Sequence, residues 1–226
     1  MGIASSVKVY ERNGNNFSQI GLHISEVSQN HTLDIDYGGN RIAIASYDET
    51  NENGENAGTT RIYQLSGEYW TQEGENIYGE SAGDYSGQAI SFDTYANQIA
   101  IGSKYNSGNG FQSGHVRVFQ RAYYGENDWR WIQTGSDIDG NGENDMFGST
   151  VDINNNKLVS GSQSSGIIKI YQMGAIQEKN KYRNDWRQFG TEISPLDGWL
   201  SGNILDVSID NSGEKVIIGE KIYLSS

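Results

Sequence analysis

The sequence predicts an all-β fold, a β-propeller of four-stranded blades, and three observations carry that prediction. Two independent motifs recur at a regular interval along 226 residues, the apolar runs are short and alternating, and the composition favours turns over helices. The first motif is aromatic-x-Gln-x-Gly-x-x-Ile, found from Phe17 to Ile24, Trp70 to Ile77, Trp131 to Ile138 and Trp186 to Ile193. The second is a basic, β-branched, aromatic triplet: Lys8-Val9-Tyr10, Arg61-Ile62-Tyr63, Arg117-Val118-Phe119, Lys169-Ile170-Tyr171 and Lys221-Ile222-Tyr223. Their basic residues stand 53, 56, 52 and 52 positions apart. Two motifs sharing one period mark a repeat protein.

Two more columns complete the unit. One alternates apolar and polar residues: Leu33-Asp34-Ile35-Asp36, Ile90-Ser91-Phe92-Asp93, Val151-Asp152-Ile153-Asn154 and Val207-Ser208-Ile209-Asp210. That is the period of a strand with one packed face. After a short turn the next run reads Ile42 to Ser46, Ile99 to Ser103, Leu158 to Ser162 and Val216 to Gly219. Strand, tight turn, strand is a hairpin. The small residue near each end (Ala45, Gly102, Gly161, Gly219) allows close backbone approach. No helical periodicity of useful length occurs.

A single sheet of this length cannot cover both its faces, so units must pack on one another. Radial packing of four-stranded sheets gives a propeller. A β-solenoid is the competing repeat architecture, but its units are generally shorter and rarely carry hairpins inside a rung. The whole chain, 1–226, reads as one propeller domain, with units at 31–77, 87–138 and 148–193 and partial units at 1–30 and 204–226. The end segments, Gly2 to Ile24 and Ile204 to Leu224, each read as three strands. The count is then four or five blades, or part of a larger ring.

The third unit, with Phe147-Gly148 before Ser160-Gly161-Ser162, resembles the FG-GAP repeat of integrin-α-like propellers. Gly114 to Phe119 and Gly166 to Tyr171 look like the last strand of that repeat. The other units depart from it, with Ser86-Gly87 and Ser201-Gly202 in place of Phe-Gly. The resemblance implies a cell-surface or extracellular recognition domain, some of whose relatives bind calcium in loops.

Composition limits the partners. Hydrophobic residues make up 35% of the chain, with 29 Gly, 14 Tyr and only Pro195 as proline, which suits short strands and tight turns. A net charge of −13 argues against nucleic acid, whose binding is driven by clustered Lys and Arg. The same charge fits a soluble surface that repels its own copies. No apolar run approaches the roughly 18 residues of a membrane span. Without cysteine there is no disulfide, thiolate ligand or thiol nucleophile. The N-terminus lacks the basic start and apolar core of a secretory signal. Met1 to Ser6 fits the myristoylation pattern at Gly2, and the same residues fit a strand equivalent to Ile44-Ala45-Ser46, the reading preferred here.

Two readings compete for the turn from Asp137 to Asp145. Asp137, Asp139, Asn141 and Asp145 offer side-chain oxygens at Ca²⁺-loop spacing, with the Glu143 carbonyl between them. Against this, matching turns elsewhere lack the carboxylates, and Gly148 stands where an EF-hand places a bidentate Glu, so the alternative is a solvated acidic turn. The acidic run from Asp48 to Asn56 reads as a mobile loop. The basic column reads as repeated cross-strand pairing with acids, and the aromatic column Phe17, Trp70, Trp131, Trp186 as blade packing. Loop aromatics Tyr78, Tyr85, Phe111, Tyr123, Tyr124, Trp129 and Trp199 are the ligand-binding candidates. His23, His31 and His115 are scattered and suggest neither a metal site nor acid–base chemistry. No nucleophile–base signature or phosphate-binding Gly loop is present. The expectation is a recognition or adhesion module, not an enzyme, engaging a protein or glycan partner through its loops. The alternative is a lectin-like propeller. An enzyme would need carboxylates of perturbed acidity converging in the central channel.

Overall fold

A computed structural model describes residues 5–126, 128–178, 181–194, 203–210 and 212–221. All of its regular structure is antiparallel β-sheet. An N-terminal hairpin, β1 (Ser5–Asn13) and β2 (Asn16–Val27), precedes three complete sheets. The first holds β3 (His31–Ile35), β4 (Arg41–Ser46), β5 (Thr59–Ser66) and β6 (Tyr69–Gln72), with β7 (Ile77–Tyr78) also on β5. The second holds β8 (Ala89–Phe92), β9 (Gln98–Ser103), β10 (His115–Tyr123) and β11 (Trp129–Gln133), with β12 (Ile138–Asp139) also on β10. The third runs β13 (Phe147–Asn154), β14 (Lys157–Ser162), β15 (Ile168–Glu178) and β16 (Lys181–Gln188). A last hairpin, β17 (Asn203–Ile209) and β18 (Val216–Lys221), follows. The fold is a β-propeller of consecutive four-stranded blades, and no helix in the described chain is long and apolar enough to cross a membrane.

Each blade seals the next through its first two strands. Ile90 and Phe92 of β8 pack with Ala43 of β4. Val151 and Ile153 of β13 pack with Ala100 of β9, and Val207 and Ile209 of β17 with Val159 of β14. Each fully buried aliphatic side chain is worth about 1.5–3 kcal/mol, so these seams supply most of the favourable term. The polar residues between them serve as well. Asp34, Ser91 and Asp152 accept the N–H of Phe92, Ile153 and Ile209, one inner strand bonding the next.

The aromatic-x-Gln-x-Gly motif proves to be a second seam. Its Gly has positive φ (68° at Gly21, 78° at Gly74 and Gly135, 80° at Gly190), bulging β2 at Gly21 and following the end of the fourth strand in the three complete blades. Gln19, Gln72 and Gln188 brace that position by donating to the Gly carbonyl two residues on. The bare Gly then receives the Trp of the following blade. A Cβ on Gly21 would lie 2.5 Å from Trp70 Nε1, one on Gly74 3.2 Å from Trp131 Cδ1, and one on Gly135 2.7 Å from Trp186 Cδ1. Trp70 and Trp186 also donate indole N–H to Ile20 and Thr134 carbonyls of the preceding motif. The aromatic column is therefore an interlock between blades.

Two expectations need correction, and a third falls outside the described residues. Each end segment shows two strands; the third strand read at each end falls on residues 1–4, which also carry the myristoylation-like pattern, and 222–226, outside them. Lys221 ends β18 opposite Asn203 and does not open a further strand, since only Glu220 separates it from Gly219. The run from Asp48 to Asn56, read as mobile, is tied down: Asn51 donates to Gly58 O and Asn53 to Gly79 O.

Candidate functional site

The acidic loop after β7 and the start of β10 face one another across the first and second blades. Gly79, Glu80 and Ser81 turn tightly because Asp84 Oδ2 accepts the N–H of both Glu80 and Ser81. This presents the half-exposed Glu80 to His115 and Arg117 on β10 and to Asp137 before β12. Glu80 Oε2 is 3.8 Å from His115 Nδ1, and Oε1 is 3.7 Å from Arg117 Nη1. Ligand atoms of Glu80, His115 and Asp137 all lie within 4.8 Å of one another, the one such group among the described residues. Beside them a cleft of about 310 Å³ opens between Asn76, Tyr78, Arg117 and Arg130.

The electrostatics follow from burial. His115 is 1% exposed, and desolvation, helped by the Arg117 charge and opposed by Asp137, pushes its pKa down to about 4. Its Nε2 is buried without a hydrogen-bond partner. Burial raises Glu80 against the pull of Arg117, with Asp137, Asp84 and Asp139 raising it further. Burial and then Asp137 raise Asp139. Arg117 is lowered by burial, which the surrounding carboxylates oppose. The neutral imidazole turns Nδ1 towards a Glu80 carboxylate oxygen at a distance too long for a hydrogen bond.

The repeat shows how local this is. In register, His115 stands where the first blade has Thr59 and the third Ile167, while Glu80 stands where the next loop has Asn141. Lys169 Nζ donates to Asn141 Oδ1 at 2.5 Å, the neutral counterpart of the Arg117–Glu80 contact. Arg61 instead forms a bidentate pair with Glu49. Arg61, Arg117 and Lys169 of the basic column thus meet residues of loops and of β7, not acids across the strand pair.

The five residues of the calcium reading are divided among different tasks. Asp145 accepts the Asn141 N–H and the Ser165 hydroxyl, closing its own turn. Asn141 serves Lys169, Glu143 packs over Gly110, Asp139 pairs His115 in the backbone ladder of β10 and β12, and only Asp137 joins its side chain to Glu80 and His115. Sequence spacing missed Glu80 and His115, which come from different blades. The signal was their departure from the repeat columns.

The loop aromatics also separate. Tyr78 borders the site, its carbonyl accepting from Arg117. Tyr85 packs edge-on to Tyr105. Trp129 carries the Arg121 guanidinium 3.2 Å above its ring and Tyr123 4.6 Å away, so its faces are engaged. Phe111, Tyr123 and Tyr124 are exposed, and Trp199 lies outside the described residues.

No protein-family model matches the chain, and no curated protein does. The FG-GAP resemblance is therefore not upheld as a family assignment. Among solved structures the chain is similar to the periplasmic gluconolactonase PpgL of Pseudomonas aeruginosa, with a TM-score of 0.45 and 10% identity over 95% of this chain and 72% of that one. A likeness at that level concerns architecture alone. The expectation of a protein that is not an enzyme is not carried forward; the protein so matched is named a gluconolactonase.

Titration at this site gives a measurable stability profile. Between the ordinary histidine value of 6.5 and about 4 the unfolded chain binds a proton that folded His115 refuses. Stability from this group is therefore complete above pH 6.5 and falls as pH drops towards 4, at about 1.4 kcal/mol per pH unit in the middle of the window. Glu80 and Asp139, raised by burial, act in the opposite direction. Urea unfolding from pH 4 to 7 is expected to show a shallower pH slope in His115→Thr, the residue the first blade uses. Equal slopes in the two proteins would contradict a depressed His115.

Proposed function

We propose that this chain is a recognition propeller whose binding site is a divalent-cation centre held by Glu80, His115 and Asp137 between the first two blades. The observation that carries the reading is the convergence of one imidazole and two carboxylates within 4.8 Å, where His115 and Glu80 replace the Thr59, Ile167 and Asn141 of the other units. Nitrogen with carboxylate oxygen suits Zn²⁺ or a similar transition ion better than Ca²⁺, which prefers oxygen throughout. Arg117 then neutralises the second Glu80 oxygen, and three protein ligands leave a coordination position for an oxygen of an incoming molecule. The exposed pair Tyr123 and Tyr124, on the outer end of the second blade, supplies the apolar surface proposed for a protein or glycan partner.

Thermal melting tests the centre directly. Zn²⁺ at a hundredfold excess over its dissociation constant is expected to raise the melting temperature by roughly 5–10 °C. Ca²⁺ should raise it much less, and Glu80→Gln or His115→Thr should remove the Zn²⁺ shift. The shift should also fade as pH drops and Glu80 is protonated. A Zn²⁺ shift of the same size in both variants would remove the proposal.

A further inference from the structure

The two end hairpins are unpaired on their outer edges: among the described residues β1 bonds only β2, and β18 only β17. The repeat register says what each edge fits. Within every complete blade the second strand pairs the third at fixed positions: Ala43 with Ile62, Ala100 with Val118, Val159 with Ile170. The same columns place Ile217 on β18 opposite Val9 on β1. We propose that β18 of one copy pairs with β1 of a second copy in that register, so that the two hairpins complete one four-stranded blade.

Three separate features of the surface match this arrangement. First, Ile217 is 74% exposed although its counterparts Ala43, Ala100 and Val159 are wholly buried beneath the next inner strand. Leu33 and Ile35 on β3, the inner strand that would cover it, are 51% and 47% exposed, whereas Phe92 and Ile153 at the Ile35 position, and Val151 at the Leu33 position, are buried. These two residues line an apolar groove of about 340 Å³ with Val7, Val9 and Tyr10 of β1. Second, the aromatic interlock is open at both ends. Gly190 has nothing within 4 Å of where a Cβ would lie, while Phe17, the aromatic of the N-terminal motif, is 69% exposed. In the shared blade, Phe17 of the second copy faces Gly190 of the first, as Trp186 faces Gly135. Third, continuing the register sets Lys215 opposite Glu11 and Glu214 opposite Arg12, two cross-strand pairs of opposite charge. At the first of these positions the intact blades carry uncharged Gln64, Gln120 and Gln172 opposite Arg41, Gln98 and Lys157. Opposite charges at this edge select the pairing while the net charge of −13 resists indiscriminate association.

Two copies that each offer both edges make the same contact twice, so the assembly closes on itself.

The absence of cysteine makes the test clean. Val9→Cys with Ile217→Cys in one chain, oxidised under mild conditions, is expected to give a covalent dimer on a non-reducing gel, because directly opposed strand residues meet disulfide geometry. Either substitution alone should leave the band at monomer size. By light scattering the parent chain should run at twice its 25.0 kDa. Glu11→Lys should weaken the dimer about tenfold, and Lys215→Glu in the same chain should restore it. Both positions are exposed, so unchanged circular dichroism will show that the variants fold. An oxidised double variant that stays monomeric with an internal bridge would assign the edge to the chain's own other end. A parent chain that is monomeric and does not cross-link, or a charge swap without rescue, would equally overturn the proposal.

Discussion

Phe147→Ala is expected to destabilise the fold by about 3–5 kcal/mol, the range for truncating a fully buried aromatic. The ring is 0% exposed at the start of β13. It stands edge-on to Tyr171 at 6.2 Å, with the Lys169 ammonium 5.6 Å from its face. Its backbone makes the contact that joins the second blade to the third: the N–H donates to Ser113 O, and a parallel bridge links it to Gly114. The backbones cross too closely there for the cavity to collapse easily. In a chain of this length each lost kcal/mol lowers the melting temperature by about 2–4 °C, so a fall of roughly 10 °C is expected. Phe147→Leu, which keeps most of the apolar volume, should recover more than half of the loss in urea unfolding. A cost below about 1 kcal/mol for the alanine variant would mean that the blades are not sealed at this point.

The blade framework was legible because its causes are periodic in sequence. Alternation in Leu33 to Asp36 and Val151 to Asn154 marks strands with one packed face, and recurrence of Trp70, Trp131 and Trp186 marks a repeated contact. Only coordinates show that each Trp fills the space over the preceding Gly, since that pairing spans about one repeat. The candidate site was illegible for the same reason. Glu80, His115 and Asp137 come from three segments and meet only when two blades stack. Spacing within one loop drew attention to Asp139, Asn141 and Asp145, yet cannot reveal that Lys169 meets Asn141 or that Asp145 closes its own turn. Carboxylates converging in the central channel entered the sequence reading only as a condition for catalysis. Burial does raise Asp34, but the Phe92 and Ile35 N–H groups hold its oxygens in a structural bond.

The largest electrostatic effect is expected from Glu73→Ala. Glu73 occupies the variable place between Gln and Gly of the repeated motif, where the other copies carry Ile20, Thr134 and Phe189. Its carboxylate is 6% exposed and meets two guanidinium groups, Arg121 at 2.6 and 2.9 Å from the second blade and Arg41 at 3.3 Å from its own. Arg121 is held in turn over the Trp129 ring at 3.2 Å. Removing the acid leaves two neighbouring cations with little access to water and no counter-charge, a loss of about 3–5 kcal/mol. Glu73→Ala combined with Arg121→Met should cost less than Glu73→Ala alone, because it also removes the stranded charge and keeps an apolar stem over Trp129. A double-mutant cycle by urea unfolding measures that difference. If Glu73→Ala costs less than about 1 kcal/mol, or if the two changes simply add, the triad contributes no more than an exposed surface pair. The first two blades would then be held together by their apolar seam and the Trp131–Gly74 interlock alone.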